Sequence, residues 1–272
     1  MGLITNILQG IRKNLKGQAL DARFAPIPWF RGKIIKHEDD TTLKLRNLGP
    51  ISVLYKRPYE LLKTYDEIFV CEIYRFDTSN TNPVIIDCGA NIGISSLYFK
   101  TVYPGSTLIA FEPDQSLADI FEKNMAQNSM QNYTLHRAAV WTENGTISFD
   151  NKGSEASSID ITGNSSFKVP TVKLAAILAD QTHIDLLKID IEGAEYPVVQ
   201  DIENELHKVE HLFIEYHGLA TETYKLETIL RIVSNAGFKT YIKMAADNLD
   251  MPFYQKQTGT IYDVQLNIFC YR

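Results

Sequence analysis

The chain has 272 residues, of which 44% are hydrophobic and 11% aromatic, enough to bury a real core and to exclude disorder as its main state. Its 27 basic and 33 acidic side chains leave a formal net charge of −6, which opposes a phosphate backbone, so no nucleic-acid partner is expected. No apolar run approaches the ~18 residues that span a bilayer, and no signal-peptide pattern opens the chain, so a soluble, cytoplasmic protein is expected.

The three cysteines, Cys71, Cys88 and Cys270, are far apart and lack any CxxC spacing. They read as reduced thiols rather than a disulfide framework or a zinc site. Met1-Gly2 begins like a myristoylation signal, but Asn6 stands where Ser or Thr is needed, and lipidation is not expected.

Charge divides the chain near Pro83: residues 1–82 hold 13 Lys/Arg and 9 Asp/Glu, net +4, and residues 83–272 hold 14 and 24, net −10. The first part is expected to be an N-terminal α/β extension. Ile4, Ile7, Leu8, Ile11 and Leu15 fall at helical spacing with Arg12, Lys13 and Lys16 opposite, a short basic amphipathic helix. A small β-meander follows, with runs at Lys33 to His37, Thr42 to Leu45 and, past the Gly49-Pro50 turn, Ile51 to Tyr55, and then helical segments from Tyr59 to Phe76.

From Pro83 the pattern alternates strand and helix, as in a parallel sheet with crossover helices. Strands are expected at Val84 to Ile86, Thr107 to Phe111, Tyr133 to Val140, Leu186 to Ile191, Leu212 to Tyr216 and Lys239 to Lys243. Helical stripes lie at Ile94 to Val102, Leu117 to Met125, Leu174 to Leu178, Val198 to Leu206 and Leu226 to Val233, the last stopped by Gly237. Residues 141–170 form a long irregular connection with a hairpin near Thr146 to Phe149. Val264, Leu266, Ile268 and Cys270 alternate with Asp263, Gln265 and Asn267, an apolar-in, polar-out strand that reads as antiparallel.

Chemistry concentrates at strand ends. Asp87-Cys88-Gly89-Ala90-Asn91-Ile92-Gly93 closes the first parallel strand and opens a helix, where open α/β sheets bind ligands. The glycines are spaced G-x-x-x-G, not the G-x-G-x-x-G that seats a dinucleotide, and the Asp87 carboxylate favours a ligand bearing positive charge, such as an amino acid or a sulfonium. Glu112, 25 residues on at the end of the second strand, has the two oxygens needed to accept hydrogen bonds from vicinal ribose hydroxyls, and Pro113 starts the next segment. Asp185 to Glu195 places four acids within eleven residues around a buried strand. A purely structural account has Glu192 and Glu195 favouring a helix N-terminus and Lys188 pairing with one of them.

These two motifs, Asp87 to Gly93 with Glu112-Pro113 and Lys188-Ile189-Asp190-Ile191-Glu192-Gly193-Ala194-Glu195, resemble those of FkbM-type methyltransferases, a family of class I enzymes using S-adenosyl-L-methionine. The similarity spans roughly residues 60–272, with Ser157-Ser158-Ile159 matching the family's loop before the fourth strand. It implies a Rossmann-like α/β fold, a seven-stranded, mostly parallel sheet in the order 3-2-1-4-5-7-6 with the last strand antiparallel, over residues 83–272. It also implies O-methylation of a hydroxyl on a sugar, polyketide or related small molecule. Carried onto this chain, it sets the methionine part of the cofactor over Asp87, Gly89, Ala90, Asn91 and Gly93, the ribose on Glu112, the adenine near Pro113, Ala138 and Ala139, and Asp190 beside the methyl group.

Methyl transfer needs an acceptor oxygen in line with the methyl–sulfur bond and a base to take its proton. Asp190, Glu192, Glu215 and His217 are the candidates, Glu215 and His217 sharing one side of their strand by alternation. Asp190, Glu215 and His217 also have the chemistry to hold magnesium or manganese, but their spacing is not diagnostic and no metal is predicted. Met251-Pro252-Phe253-Tyr254 is a candidate acceptor wall. The competing readings are a nicotinamide-dependent oxidoreductase and a non-catalytic module that binds a partner through the basic N-terminus. Monomer and homodimer are both compatible with the sequence.

Overall fold

The computed structural model describes residues 23–150, 158–159, 168–254, 256–257 and 261–272. The amphipathic helix expected over residues 4–15 lies outside them, as does Ser157. In chain order the described elements begin with helix α1 (Trp29–Lys36), the hairpin β1 (Lys44–Leu48) and β2 (Ile51–Tyr55), helix α2 (Pro58–Tyr65) and a π-helical turn at Asp66–Val70. The core alternation then runs β3 (Val84–Cys88), α3 (Ile94–Val102), β4 (Thr107–Phe111), α4 (Gln115–Gln127) and β5 (Tyr133–His136). A side sheet follows from β6 (Ala139–Trp141), β7 (Gly145–Asp150), β8 (Ser158–Ile159) and β9 (Lys168–Lys173). The chain returns through α5 (Leu174–Ala179), β10 (Ile184–Ile189), α6 (Glu195–Asp201), β11 (Val209–Gly218), α7 (Thr223–Asn235) and β12 (Lys239–Ala246). A small hairpin, β13 (Leu249–Met251) with β14 (Lys256–Gln257), precedes the final strand β15 (Val264–Tyr271).

The central sheet has seven strands in the order β12-β15-β11-β10-β3-β4-β5. Read from the β5 edge and numbered along the chain, this is 3-2-1-4-5-7-6, and β15 runs antiparallel to both of its neighbours. The inner strands are mostly apolar because both faces are covered: every residue of β10 is buried, its two charges Asp185 and Lys188 included. Alternation sends Ile85 and Leu186 into one core, with Leu97, Tyr98 and Phe121, and Ile86 and Leu187 into the other, with Val198, Leu212 and Ile229. Helix α7 ends as its sequence predicts: Gly237 at φ +86 donates to Ser234 O and Phe238 N to Val233 O, satisfying two terminal carbonyls.

Phe24, Val53, Tyr65 and Phe69 from the N-terminal segment lie in the same core as Leu97 and Phe121. Phe69 stacks on Tyr65 at 5.2 Å and meets Phe24 and Tyr98 edge-on. The hairpin is fastened by two carboxamides one helical turn apart, Asn124 in α4 and Asn128 at its C-cap. Asn124 accepts from Leu54 N and donates to Leu54 O, and Asn128 does the same with Ser52 N and O.

Four expectations change. Residues 33–36 belong to helix α1, not a strand: Ile35 is buried while Ile34 is exposed, so the lysine-flanked pair marks a helix face. The meander is therefore a hairpin. The strand expected over Tyr133 to Val140 breaks after His136, and its second part leaves the central sheet to pair with β9. The strand expected to reach Ile191 ends at Ile189, because Glu192 and Gly193 both take positive φ. In β15, Asn267 is buried against the polar-out pattern, where its amide donates to Glu67 Oε1 at 3.2 Å.

Candidate active site

The C-terminal ends of β3, β4, β10 and β11 open onto one cavity of about 240 Å³. Gly89, Ala90 and Asn91 form part of its wall, with Glu112, Pro113, Ala138 and Ala139 beside them and Asp190, Glu192 and Glu215 across it. The expected cofactor and acid positions thus meet in one space, apart from Asp87, Gly93 and His217, which lie behind its lining.

The turn after β3 is held by its backbone. Gly89 N and Ala90 N both donate to Phe111 O, and Gly89 takes φ +85, where a Cβ would fall 1.8 Å from Asp190 O. Asn91, at φ +50, donates its N–H to Glu112 Oε2 at 2.8 Å. Asp114 N donates to Glu112 Oε1 at 2.8 Å, so each Glu112 oxygen accepts one backbone N–H and keeps a further lone pair. Burial pushes Glu112 up to about 7, against those two donors. Asp114 also caps α4, accepting from Ser116 N and Leu117 N.

Asp87 is fully buried, and its place differs from that expected of a residue facing a ligand. Its Oδ2 accepts from the hydroxyls of Ser95 and Ser96 at 2.6 and 2.8 Å, and its Oδ1 lies 3.2 Å from Lys188 Nζ. It ties the turn to α3 and to β10. Gly93 opens α3 at φ +90 against the Phe121 ring, 2.8 Å from where a Cβ would stand, and so serves packing.

Lys188 pairs with Asp87 and, at 3.3 Å, with Asp190 Oδ2, rather than with Glu192 or Glu195. It also donates to Gly89 O at 3.1 Å. Burial disfavours its ammonium, but Asp87 and Asp190 outweigh this and raise its pKa. Asp185 sits at the opposite end of β10, accepting from Val84 N, Thr78 and Asn80, so that acid is structural.

Beyond β10 the chain turns sharply through Glu192, φ +55, and Gly193, φ +97. Glu195 closes this turn, accepting from Ile191 N and Gly193 N, and its Oε1 lies 3.2 Å from His217 Nδ1. Tyr262 donates to Glu192 O at 2.7 Å. His217 Nε2 then faces Glu192 Oε2 at 3.5 Å and Glu215 Oε1 at 3.7 Å, as alternation along the strand requires. Burial and repulsion from Asp190 push Glu192 and Glu215 well above the usual carboxylate range, against the attraction of His217. Burial disfavours an imidazolium at His217, but Glu195, Glu192 and Asp190 outweigh it and raise that pKa.

Sequence reading missed Lys188, Ser95, Ser96 and Glu195 as the holders of this arrangement, and it missed the wall given by Lys56, Arg57, Thr64 and Glu67. A lysine inside an apolar strand was the one available signal. Met251, Phe253 and Tyr254 are exposed and do not line the cavity. Of the other histidines, His136 stacks on Phe111, and His207 and His211 contact backbone carbonyls. Cys71, Cys88 and Cys270 are free thiols, and among the described residues no helix is long and apolar enough to cross a membrane.

The sequence model of the Methyltransferase FkbM domain matches residues 87–240. "Methyltransferase sdnD" of Sordaria araneosa is 28% identical over 177 residues, 52% of this chain and 68% of that protein. "Methyltransferase 1" of Beauveria bassiana (strain ARSEF 2860) is 26% identical over 166 residues, 52% of this chain and 67% of that protein. "2-O-methyltransferase NoeI" of Sinorhizobium fredii (strain NBRC 101917 / NGR234) is 27% identical over 173 residues, 56% of this chain and 70% of that protein. The solved structure of a methyltransferase FkbM from Methylobacillus flagellatus KT superposes with a TM-score of 0.48 at 14% identity, covering 79% of this chain and 54% of that one. The matched stretch takes in more than half of the residues, from Asp87 to beyond the Glu215-Tyr216-His217 strand end, so the chain belongs to the FkbM methyltransferase family and is a methyltransferase.

Proposed function

We propose that the protein transfers a methyl group from S-adenosyl-L-methionine to a hydroxyl of a small molecule such as a sugar or polyketide, residues 83–272 forming the catalytic unit, with Lys56, Arg57, Thr64 and Glu67 of the preceding segment walling the cavity. The observation that carries this reading is that Glu112, with a lone pair to spare on each oxygen, shares one cavity with the acids Asp190, Glu192 and Glu215. Such a floor suits a ligand with a diol at one end and a sulfonium at the other. The name of the relative NoeI, a 2-O-methyltransferase, supports an oxygen acceptor.

When bound, S-adenosyl-L-methionine supplies an electrophilic methyl group on sulfur. Glu112 accepts hydrogen bonds from the ribose hydroxyls, and Pro113, Ala138 and Ala139 flank the adenine. The turn at Gly89, Ala90 and Asn91 receives the methionine part, held in place from behind by Asp87 and by Lys188, which also lines the cavity. Asp190, Glu192 and Glu215 surround the acceptor oxygen, and one of them takes its proton while His217 stays fixed by Glu195. Alignment of acceptor and methyl group accounts for much of the rate, since a positioned reaction of this kind gains ~7–11 kcal/mol.

Calorimetric titration with S-adenosyl-L-homocysteine, with NAD in parallel, tests the cofactor. Micromolar binding of the first, weakened in Glu112→Ala, is expected. Binding of NAD alone would overturn the reading.

A further inference from the structure

We infer that Asp190, Glu192 and His217 form a site for one divalent cation of the magnesium–manganese class at the floor of the cavity, with Glu215 beside it. One ligand atom from each of the three lies within 4.8 Å of the others. Two ligands of an ion at ~2.1 Å are at most ~4.2 Å apart, so shifts of about half an ångström bring them onto one centre.

His217 is the observation that separates this cluster from an ordinary group of acids. Its side chain is 1% exposed and its Nε2 has no hydrogen-bond partner. In the neutral imidazole, the form that a cation on Nε2 selects, the Nδ1 contact to Glu195 Oε1 puts the proton on Nδ1 and leaves Nε2 a bare lone pair. That lone pair points at Glu192 Oε2 and Glu215 Oε1. Three electron-rich groups turned toward one point repel each other unless a proton or a metal cation stands between them. The carboxylate–imidazole pair of Glu195 and His217 is also the arrangement that orients a metal-bound histidine from behind.

Among the described residues no lysine or arginine fills the role, and a protonated His217 is the competing arrangement. Lys188 is committed to Asp87 and Asp190, and among the described residues no lysine or arginine lies in ion-pair contact with Glu192 or Glu215. Carboxylate oxygens with a single imidazole favour magnesium or manganese over softer ions. Asp190 and Glu192 are only partly buried and line the cavity, so the remaining coordination positions face the acceptor. There the cation would hold and polarise a hydroxyl or a vicinal diol. That role rests on the methyltransferase reading, whereas binding of the cation does not.

The test is titration of the purified full chain with Mn²⁺ alone, read by loss of the free-ion electron paramagnetic resonance signal, alongside Glu192→Gln and His217→Gln. The expected result is one Mn²⁺ per chain with a Kd below about 1 mM, weakened at least about tenfold in each variant. Glu192→Gln changes a partly exposed residue, so it keeps the test valid if His217→Gln fails to fold. Absence of saturable Mn²⁺ binding, or unchanged binding in Glu192→Gln, overturns the inference in favour of a protonated His217. S-adenosyl-L-homocysteine binding in the same samples separates the two conclusions. Cofactor without Mn²⁺ overturns the cation site alone, and Mn²⁺ without cofactor leaves the site standing and overturns the cofactor assignment.

Discussion

Lys188 and Asp87 are register partners on the adjacent parallel strands β10 and β3, and their charged atoms meet 3.2 Å apart where both side chains are almost wholly buried. A buried ion of this kind stabilises chiefly by not leaving its partner alone. Lys188→Met strands Asp87 and Asp190 without their cation and is expected to cost about 3–5 kcal/mol in urea unfolding. Adding Asp87→Asn should recover part of that loss. Additive losses in the double variant would show that the pair is not coupled.

Glu112 contributes to the pH dependence alongside Glu192 and Glu215, whose carboxyl pKa values are raised in the same direction. Its folded-state pKa is raised from 4.5 to about 7 by burial, so its contribution to stability is complete below pH 4.5 and is lost as pH rises toward 7. The change amounts to about 3 kcal/mol. Glu112→Ala is expected to reduce the slope of stability over this window, leaving the part due to Glu192 and Glu215, in denaturant melts at pH 4.5 to 7.5. Equal slopes in parent and variant would remove Glu112 as a cause.

The same carboxylate accepts hydroxyl hydrogen bonds best when ionised. Cofactor affinity should therefore rise with pH through 7, and Glu112→Ala should lower affinity by about 1–3 kcal/mol at pH 8. Calorimetry with S-adenosyl-L-homocysteine at pH 6 and 8 measures both.

Gly89→Ala should be among the most damaging single methyl additions, since the new Cβ meets a backbone carbonyl at 1.8 Å and the residue sits at φ +85. Gly93→Ala meets a ring edge at 2.8 Å, and Phe121 has more freedom to yield. We expect Gly89→Ala to lose more than about 3 kcal/mol and Gly93→Ala to lose less. Thermal melts of the two set the order.

Asp190→Asn should lower turnover with a hydroxylated acceptor by about 100-fold or more while leaving cofactor affinity nearly unchanged, if Asp190 takes the proton. Formation of S-adenosyl-L-homocysteine over a panel of sugars and polyketides provides the rate. Full turnover would move the role to Glu192 or Glu215.

The parallel sheet was legible because its strands are covered on both faces and so read as apolar runs, as at Val84-Ile85-Ile86. The carboxylates were legible because they stand at strand ends. What the sequence hid was non-local. Lys188 finds Asp87 only through the pairing of β10 with β3, and Glu195 reaches His217 across 22 residues. Helix α1 was mistaken for a strand because two isoleucines between lysines fit either period over so short a stretch.

Strand β2 pairs with β1 along one side, and on its other side Asn124 and Asn128 occupy the backbone groups of Leu54 and Ser52. An uncovered strand margin is a template on which other chains add, and here two side chains from α4 and its C-cap take up the positions a foreign strand would use. Loss of both carboxamides would therefore show first as self-association in concentrated solution.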